Sequence, residues 1–120
     1  MKPKLSLAII IIALSLCSLV TSKAIAKEQS AVFAGGCFWC TESDFEKLDG
    51  VVSAASGYIG GQLKNPTYKQ VSSGGSGHTE AVEVIFDDQT VSYSDLVEYF
   101  WKTIDPTDGS GQFCDRGQQY

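Results

Sequence analysis

A single histidine, His78, stands among 120 residues, and basic side chains are few, nine Lys and Arg against fourteen Asp and Glu for a net charge of −5. With so little histidine, a zinc site would have to gather four nitrogen or sulfur ligands from cysteines and His78 at widely separated positions, which is weak support for one. The acidic balance repels phosphate backbones and argues against a nucleic-acid partner. Neither an internal repeat nor a low-complexity segment is present. The length leaves room for one hydrophobic core and not for two.

Residues 1–26 carry the three parts of a secretory signal. Lys2 and Lys4 form a positive start, Leu5 to Val20 an uncharged apolar run, and Ala24-Ile25-Ala26 a small-residue cleavage site. The expectation is export, to a periplasm, with cleavage after Ala26, leaving residues 27–120 as the folded domain and no membrane attachment. Removing residues 1–26 takes away Lys2, Lys4 and Lys23 but no acid, so the charge falls from −5 to −8. Cys37, Cys40 and Cys114 remain. An odd number of cysteines in an exported chain argues against a purely structural disulfide framework and leaves a thiol to explain.

Hydrophobic periodicity predicts the order β-α-β, loop, β, α. After a polar lead-in at 27–30, "AVFAGG" reads as a short buried strand stopping at Gly35-Gly36, and "CFWCTESDFEKL" as a helix with Phe38, Thr41, Phe45 and Leu48 at helical spacings. "VVSAASGYIGG" reads as a strand running into a glycine-marked loop. "LKNPTYKQVSSGGSGH" reads as loop with at most a short helix. "TEAVEVIFDD" alternates, with Glu80, Val82, Val84 and Phe86 on one face. "SYSDLVEYFWKTID" is an amphipathic helix with Leu96, Val97, Phe100, Trp101 and Ile104 on one stripe and a capping box from Ser92 to Asp95. The glycine-rich "PTDGSGQFCDRGQQY" reads as loop.

Cys37 is predicted at the start of the first helix, where unpaired N–H groups and the helix dipole favour thiolate over thiol. The Cys37-x-x-Cys40 spacing leaves three readings open: part of a zinc site, a thioredoxin-like disulfide couple, or one nucleophile, Cys37, whose oxidised form Cys40 or Cys114 resolves. Glu80, at the edge of an apolar strand face, is a carboxyl that desolvation can keep protonated and able to donate. Tyr58 and Tyr120 are expected in loops beside glycines, where a phenol can point into a pocket.

Five stretches, "GGCFWCTE", "GVVSAASGYIGG", "NPTYKQVSSGGSGHTEAVEVIFD", "YSDLVEYFWKTIDPTD" and "FCDRGQQY", resemble in order and spacing the A-type peptide methionine sulfoxide reductases, over about residues 32–120. The resemblance implies an α+β fold, a two-layer sandwich around a mixed sheet with a ferredoxin-like β-α-β core. It implies Cys37 as nucleophile toward the sulfoxide sulfur, with Phe38 and Trp39 as the apolar wall for the substrate methyl group. Glu80 would be the proton donor to the sulfoxide oxygen, with Tyr58 and Tyr120 its hydrogen-bonding partners and Asp115 positioning the substrate. The implied activity is reduction of methionine S-sulfoxide in oxidised proteins, and of free methionine sulfoxide, through a Cys37 sulfenic acid and then a disulfide. That is a protein-repair reaction under oxidative stress. No bound cofactor is implied; an external dithiol, thioredoxin or an exported equivalent, would restore the thiols.

Two departures from the commonest family pattern bear on the resolving thiol. Many members have glycine where this chain has Cys40, and glycine-asparagine where it has Phe113-Cys114. Both cysteines are candidates, and Cys114 is favoured on the expectation that its loop is mobile. The family also continues past the position of Tyr120 with arginine-serine, a further strand and more helix. The domain is therefore expected to be incomplete at its C-terminus, with uncovered sheet, low stability and low activity.

Overall fold

The computed structural model describes residues 27–120, so the proposed signal segment and its cleavage site lie outside the described residues. The chain forms β1 (Glu28–Phe33), α1 (Phe38–Phe45), β2 (Val51–Ile59), α2 (Tyr68–Ser72), β3 (Thr79–Asp87), α3 (Tyr93–Trp101), β4 (Gly111–Gln112) and β5 (Asp115–Arg116). The expected elements are therefore present. The polar lead-in, however, is the first half of β1, because Glu28, Gln29 and Ser30 pair with Asp87, Phe86 and Ile85 along a strand that alternates outward and inward.

β3 lies between β1 and β2, and both pairings are antiparallel. The architecture is α+β, as expected, but the described ladders are not mixed. β1 and β2 run in the same direction, as a β-α-β unit requires, and β3 fills the gap between them.

Register places Phe33 and Ser56 on either side of Val82, Ala31 and Ala54 on either side of Val84, and Tyr58 opposite Glu80. This face of the sheet meets the helices. Its core joins Phe33, Val82, Val84 and Phe86 to Phe38 and Phe45 of α1 and Leu96 of α3. Phe45 packs with its ring centre 4.6 Å from that of Phe33 and 6.4 Å from that of Phe100. Full burial of one such ring contributes roughly 1.5–3 kcal/mol. The opposite face leaves Val32 and Ile59 half exposed.

α3 is capped as its sequence indicates, with the Ser92 hydroxyl accepting from the Asp95 N–H and the Asp95 carboxylate accepting from the Ser92 N–H. Trp101 is a correction: expected on the apolar stripe, it is 54% exposed. Five residues after the fully buried Leu96, it has rotated well off that stripe, at about 100° per residue.

The segment after α3 is more ordered than a loop. β4 and β5 pair through Gly111–Arg116 and Gln112–Asp115, with Phe113 and Cys114 as the turn. Gln112 braces this hairpin: its side chain accepts from the Asp105 N–H at 2.7 Å and donates to the Asp105 carbonyl at 2.8 Å. Gly36, at φ 87°, leaves room for Gln112, whose side chain occupies the space a Cβ there would need.

Candidate active site

Cys37 is the N-cap of α1. Its backbone is non-helical, at φ −56° and ψ 106°, while its carbonyl accepts from the Cys40 and Thr41 N–H groups at 3.1 Å each. The next amide, Phe38 N–H, donates to Glu80 Oε2 at 3.2 Å. This bond ties the start of α1 to the start of β3, so that a carboxyl and a thiol distant in sequence share one helix terminus.

Glu80 is only 2% exposed, and its Oε1 is buried without a partner. Burial pushes its pKa up from 4.5; the Phe38 N–H opposes the shift and the negative charge of Asp115 adds to it. The strand's own amide is also held, since Glu80 N–H donates to the Gln119 carbonyl at 2.9 Å. That bond brings the last residues of the chain, Tyr120 included, to the site.

Aromatic rings form one wall. Phe38 is buried, with its ring centre 5.1 Å from Trp39 and 5.6 Å from Tyr58, while Trp39 is exposed. Tyr58 lies within β2, not in the loop expected for it, because the strand runs on to Ile59 and sets Tyr58 opposite Glu80. Burial raises the Tyr58 pKa, and the charge of Glu80 adds to that. Tyr120 is raised by the same two causes in the same order, with hydrogen bonding to Tyr68 contributing less.

Tyr68 was not singled out from the sequence. It stacks on Trp39 at 5.3 Å and on Phe38 at 6.1 Å, completing the wall. A local signal for it existed. Thr67 and Gln70 form a reciprocal capping box, which fixes Tyr68 as the first residue of a helical turn inside a stretch otherwise read as loop.

On the other side of Cys37 a cavity of about 230 Å³ is lined by Cys37, Cys40, Asp44, Cys114 and Asp115, among others. The hairpin thus brings Asp115 and Cys114 to the nucleophile candidate, as the sequence could only suggest. All three described cysteines are free, Cys40 and Cys114 exposed and Cys37 half-buried. Among the described residues no group of three or more His, Cys, Asp and Glu side chains could hold a metal ion. His78 does other work. Its Nε2 lies 2.9 Å from the Leu63 carbonyl and its ring packs closely on Gly61, holding the loop after β2 against β3.

Fold and site together define a class: an α+β protein with a cysteine at a helix start, set beside a buried carboxyl and an aromatic wall. Comparison with known proteins narrows it. The family model described as peptide methionine sulfoxide reductase matches residues 29–120, and the chain belongs to that family. It is 61% identical over 92 residues to the peptide methionine sulfoxide reductase MsrA of Streptococcus uberis, covering 77% of this chain and 54% of that protein. It is 59% identical over 95 residues to the MsrA/MsrB protein of Vibrio cholerae, covering 79% and 25%. Among solved structures, methionine sulfoxide reductase A of Corynebacterium diphtheriae matches with TM-score 0.74 and 38% identity, over 78% of this chain and 44% of that one. Reduced Mxr1 of Saccharomyces cerevisiae matches at 0.73 and 30%, over 78% and 56%. The chain spans about half the length of the MsrA relative from Streptococcus uberis, 54% of it.

Proposed function

We propose that this domain reduces methionine S-sulfoxide to methionine at Cys37, with Glu80 as the acid. The observation that carries the reading is the buried Glu80, bonded through one oxygen to the helix start that bears Cys37 and left with the other oxygen unpartnered. Sulfoxide oxygen is a good hydrogen-bond acceptor but a poor leaving group as oxide, so attack of a thiolate on the sulfur requires that oxygen to be protonated as the S–S bond forms. A neutral carboxyl whose Oε2 already accepts an N–H carries its proton on Oε1, the free oxygen. Tyr58 and Tyr120 lie near enough to Glu80 and to Tyr68 to feel their charge, and in this reading their hydroxyls would hydrogen-bond the sulfoxide oxygen. Phe38 and Trp39 offer the methyl group an apolar surface. The S–S bond then breaks as the oxygen passes from the substrate sulfur to the Cys37 sulfur, so that thiol and sulfoxide give sulfenic acid on Cys37 and methionine.

A disulfide oxidoreductase using Cys37 and Cys40 is not favoured, because the family model that matches is that of the peptide methionine sulfoxide reductases and disulfide exchange has no use for the aromatic wall. The proposed reaction needs no bound cofactor, only an external dithiol such as thioredoxin or an exported counterpart. Its substrates would be oxidised proteins, with free methionine sulfoxide as a smaller alternative.

The test is a single turnover without reductant on separated epimers. The full chain is expected to yield close to one equivalent of methionine from the S-sulfoxide and almost none from the R-sulfoxide; no methionine from either would sink the reading. Export, proposed from residues 1–26, has its own measurement. Protein recovered from the envelope of an expressing bacterium is expected to begin at Lys27, and a cytoplasmic protein that keeps Lys2 and Lys4 would refute it.

A further inference from the structure

We propose that the surface beside the aromatic wall, built from Leu63, Lys64, Tyr68 and Lys69 together with Trp39, holds the polypeptide flanking a methionine sulfoxide and selects segments that carry acidic residues there. The inference rests on the reaction proposed above and names the kind of polypeptide that reaction serves.

Charge is the first ground. The fourteen acids of the chain are unevenly spread: none lies between Asp49 and Glu80, the stretch that carries Lys64 and Lys69. Both lysines are exposed. Among the described residues the ion pairs join Lys47 to Asp44 and Arg116 to Asp108, and neither Lys64 nor Lys69 takes part in one. Of the acids that come near the wall, Glu80 is buried, and Glu42, one turn after Trp39, accepts from the Ser56 N–H at 2.6 Å. A local positive potential on an otherwise negative surface attracts acidic segments that the rest of the molecule repels.

The second ground is placement. The backbone bearing these lysines is pinned at three points. The Leu63 carbonyl lies 2.9 Å from Nε2 of His78, two residues before Glu80. Val71 is fully buried and anchors α2, and the Gln119 side chain donates to the Ser72 carbonyl at 3.3 Å. Tyr68 is thereby held in its stack on Trp39, with Lys69 next to it in the chain. The apolar part of this surface stays open, with Trp39 59%, Tyr68 46% and Leu63 44% exposed. A single substrate methyl group covers only a fraction of it, and the neighbours of the oxidised residue can cover more.

A reducing protein is the other macromolecule that must approach Cys37. The cavity that exposes the thiols lies on the opposite side, where Cys40 and Cys114 share its lining with Asp44 and Asp115. The basic, aromatic side is therefore left to the substrate.

The experiment measures binding of synthetic peptides containing methionine S-sulfoxide to the full chain carrying Cys37→Ser, which cannot turn them over. Each peptide has two glutamates or two lysines before or after the sulfoxide, and affinities are taken relative to a glycine-flanked reference. At about 20 mM salt, a glutamate peptide should bind about three- to tenfold more tightly than its lysine counterpart, as two exposed charge pairs allow. The gap should close at about 1 M salt, where charges are screened beyond about 3 Å, and should be lost when Lys64→Gln and Lys69→Gln are combined. If neither glutamate peptide outbinds its lysine counterpart, if the preference survives the double substitution, or if no peptide binds, the proposal falls. Because no turnover is read, that failure is distinguishable from a failure to reduce methionine sulfoxide, which the single-turnover assay reports.

Discussion

Cys37→Ser is expected to produce no methionine above background in a single turnover, a loss of at least about 10⁴-fold, while its thermal midpoint is unchanged or higher. A serine hydroxyl at neutral pH is almost wholly protonated and, unlike a thiolate, has no strong affinity for sulfur, so the attacking atom is gone. The fold should not suffer. Cys37 occupies an N-cap but makes no side-chain cap bond, and serine is among the best residues for that position, with a contribution typically of about 0.5–1 kcal/mol over a residue that cannot cap. The paired readout matters. Activity lost together with stability would point to a structural role for Cys37, and activity retained would move the nucleophile elsewhere. Product analysis after one equivalent of S-sulfoxide, beside a thermal melt of the same sample, decides among these.

The parts of the site that could be read from the sequence are those that local physics controls. The alternation in "TEAVEVIFDD" puts Glu80 in line with Val82, Val84 and Phe86, and the structure buries it there. The glycines ahead of Cys37 and the helical spacing of Phe38, Thr41 and Phe45 place the thiol at a helix start, with those three residues buried. What stayed hidden depends on contacts between distant segments. Nothing in a period-two pattern says that β3 inserts between β1 and β2; the mixed sheet came from the family resemblance, and the described residues pair in antiparallel ladders. Two-residue strands leave no periodic signal, so the hairpin carrying Cys114 and Asp115 read as loop. Tyr68 lay in a stretch dominated by glycine and proline, where its partners Trp39 and Phe38 become visible only once α1 and α2 are packed together.

Glu80→Gln should separate catalysis from stability in a way that no surface acid would. The substitution keeps size and leaves an oxygen for the Phe38 N–H but removes the acidic proton, and loss of a positioned general acid typically costs on the order of 100- to 1,000-fold in rate. The pH dependence follows from the direction of the shift. Burial raises the Glu80 pKa above 4.5, and the protonated form is the one that acts. Wild-type turnover of the sulfoxide should therefore lose the contribution of this group as pH climbs through the raised value, and the glutamine variant should lack that limb. Stability carries the same sign. An acid whose pKa is higher in the folded than in the unfolded chain contributes stability that is fully present below the unfolded value and is lost as pH rises through the folded one. Above that window the wild type must hold a buried carboxylate that glutamine does not have. The variant, nearly inactive at every pH, is thus expected to gain stability relative to wild type as pH increases. Denaturant melts at acidic and at mildly alkaline pH measure this difference, and a variant that instead loses ground as pH rises would mean that Glu80 acts as a carboxylate stabilised by the helix start and not as a buried acid.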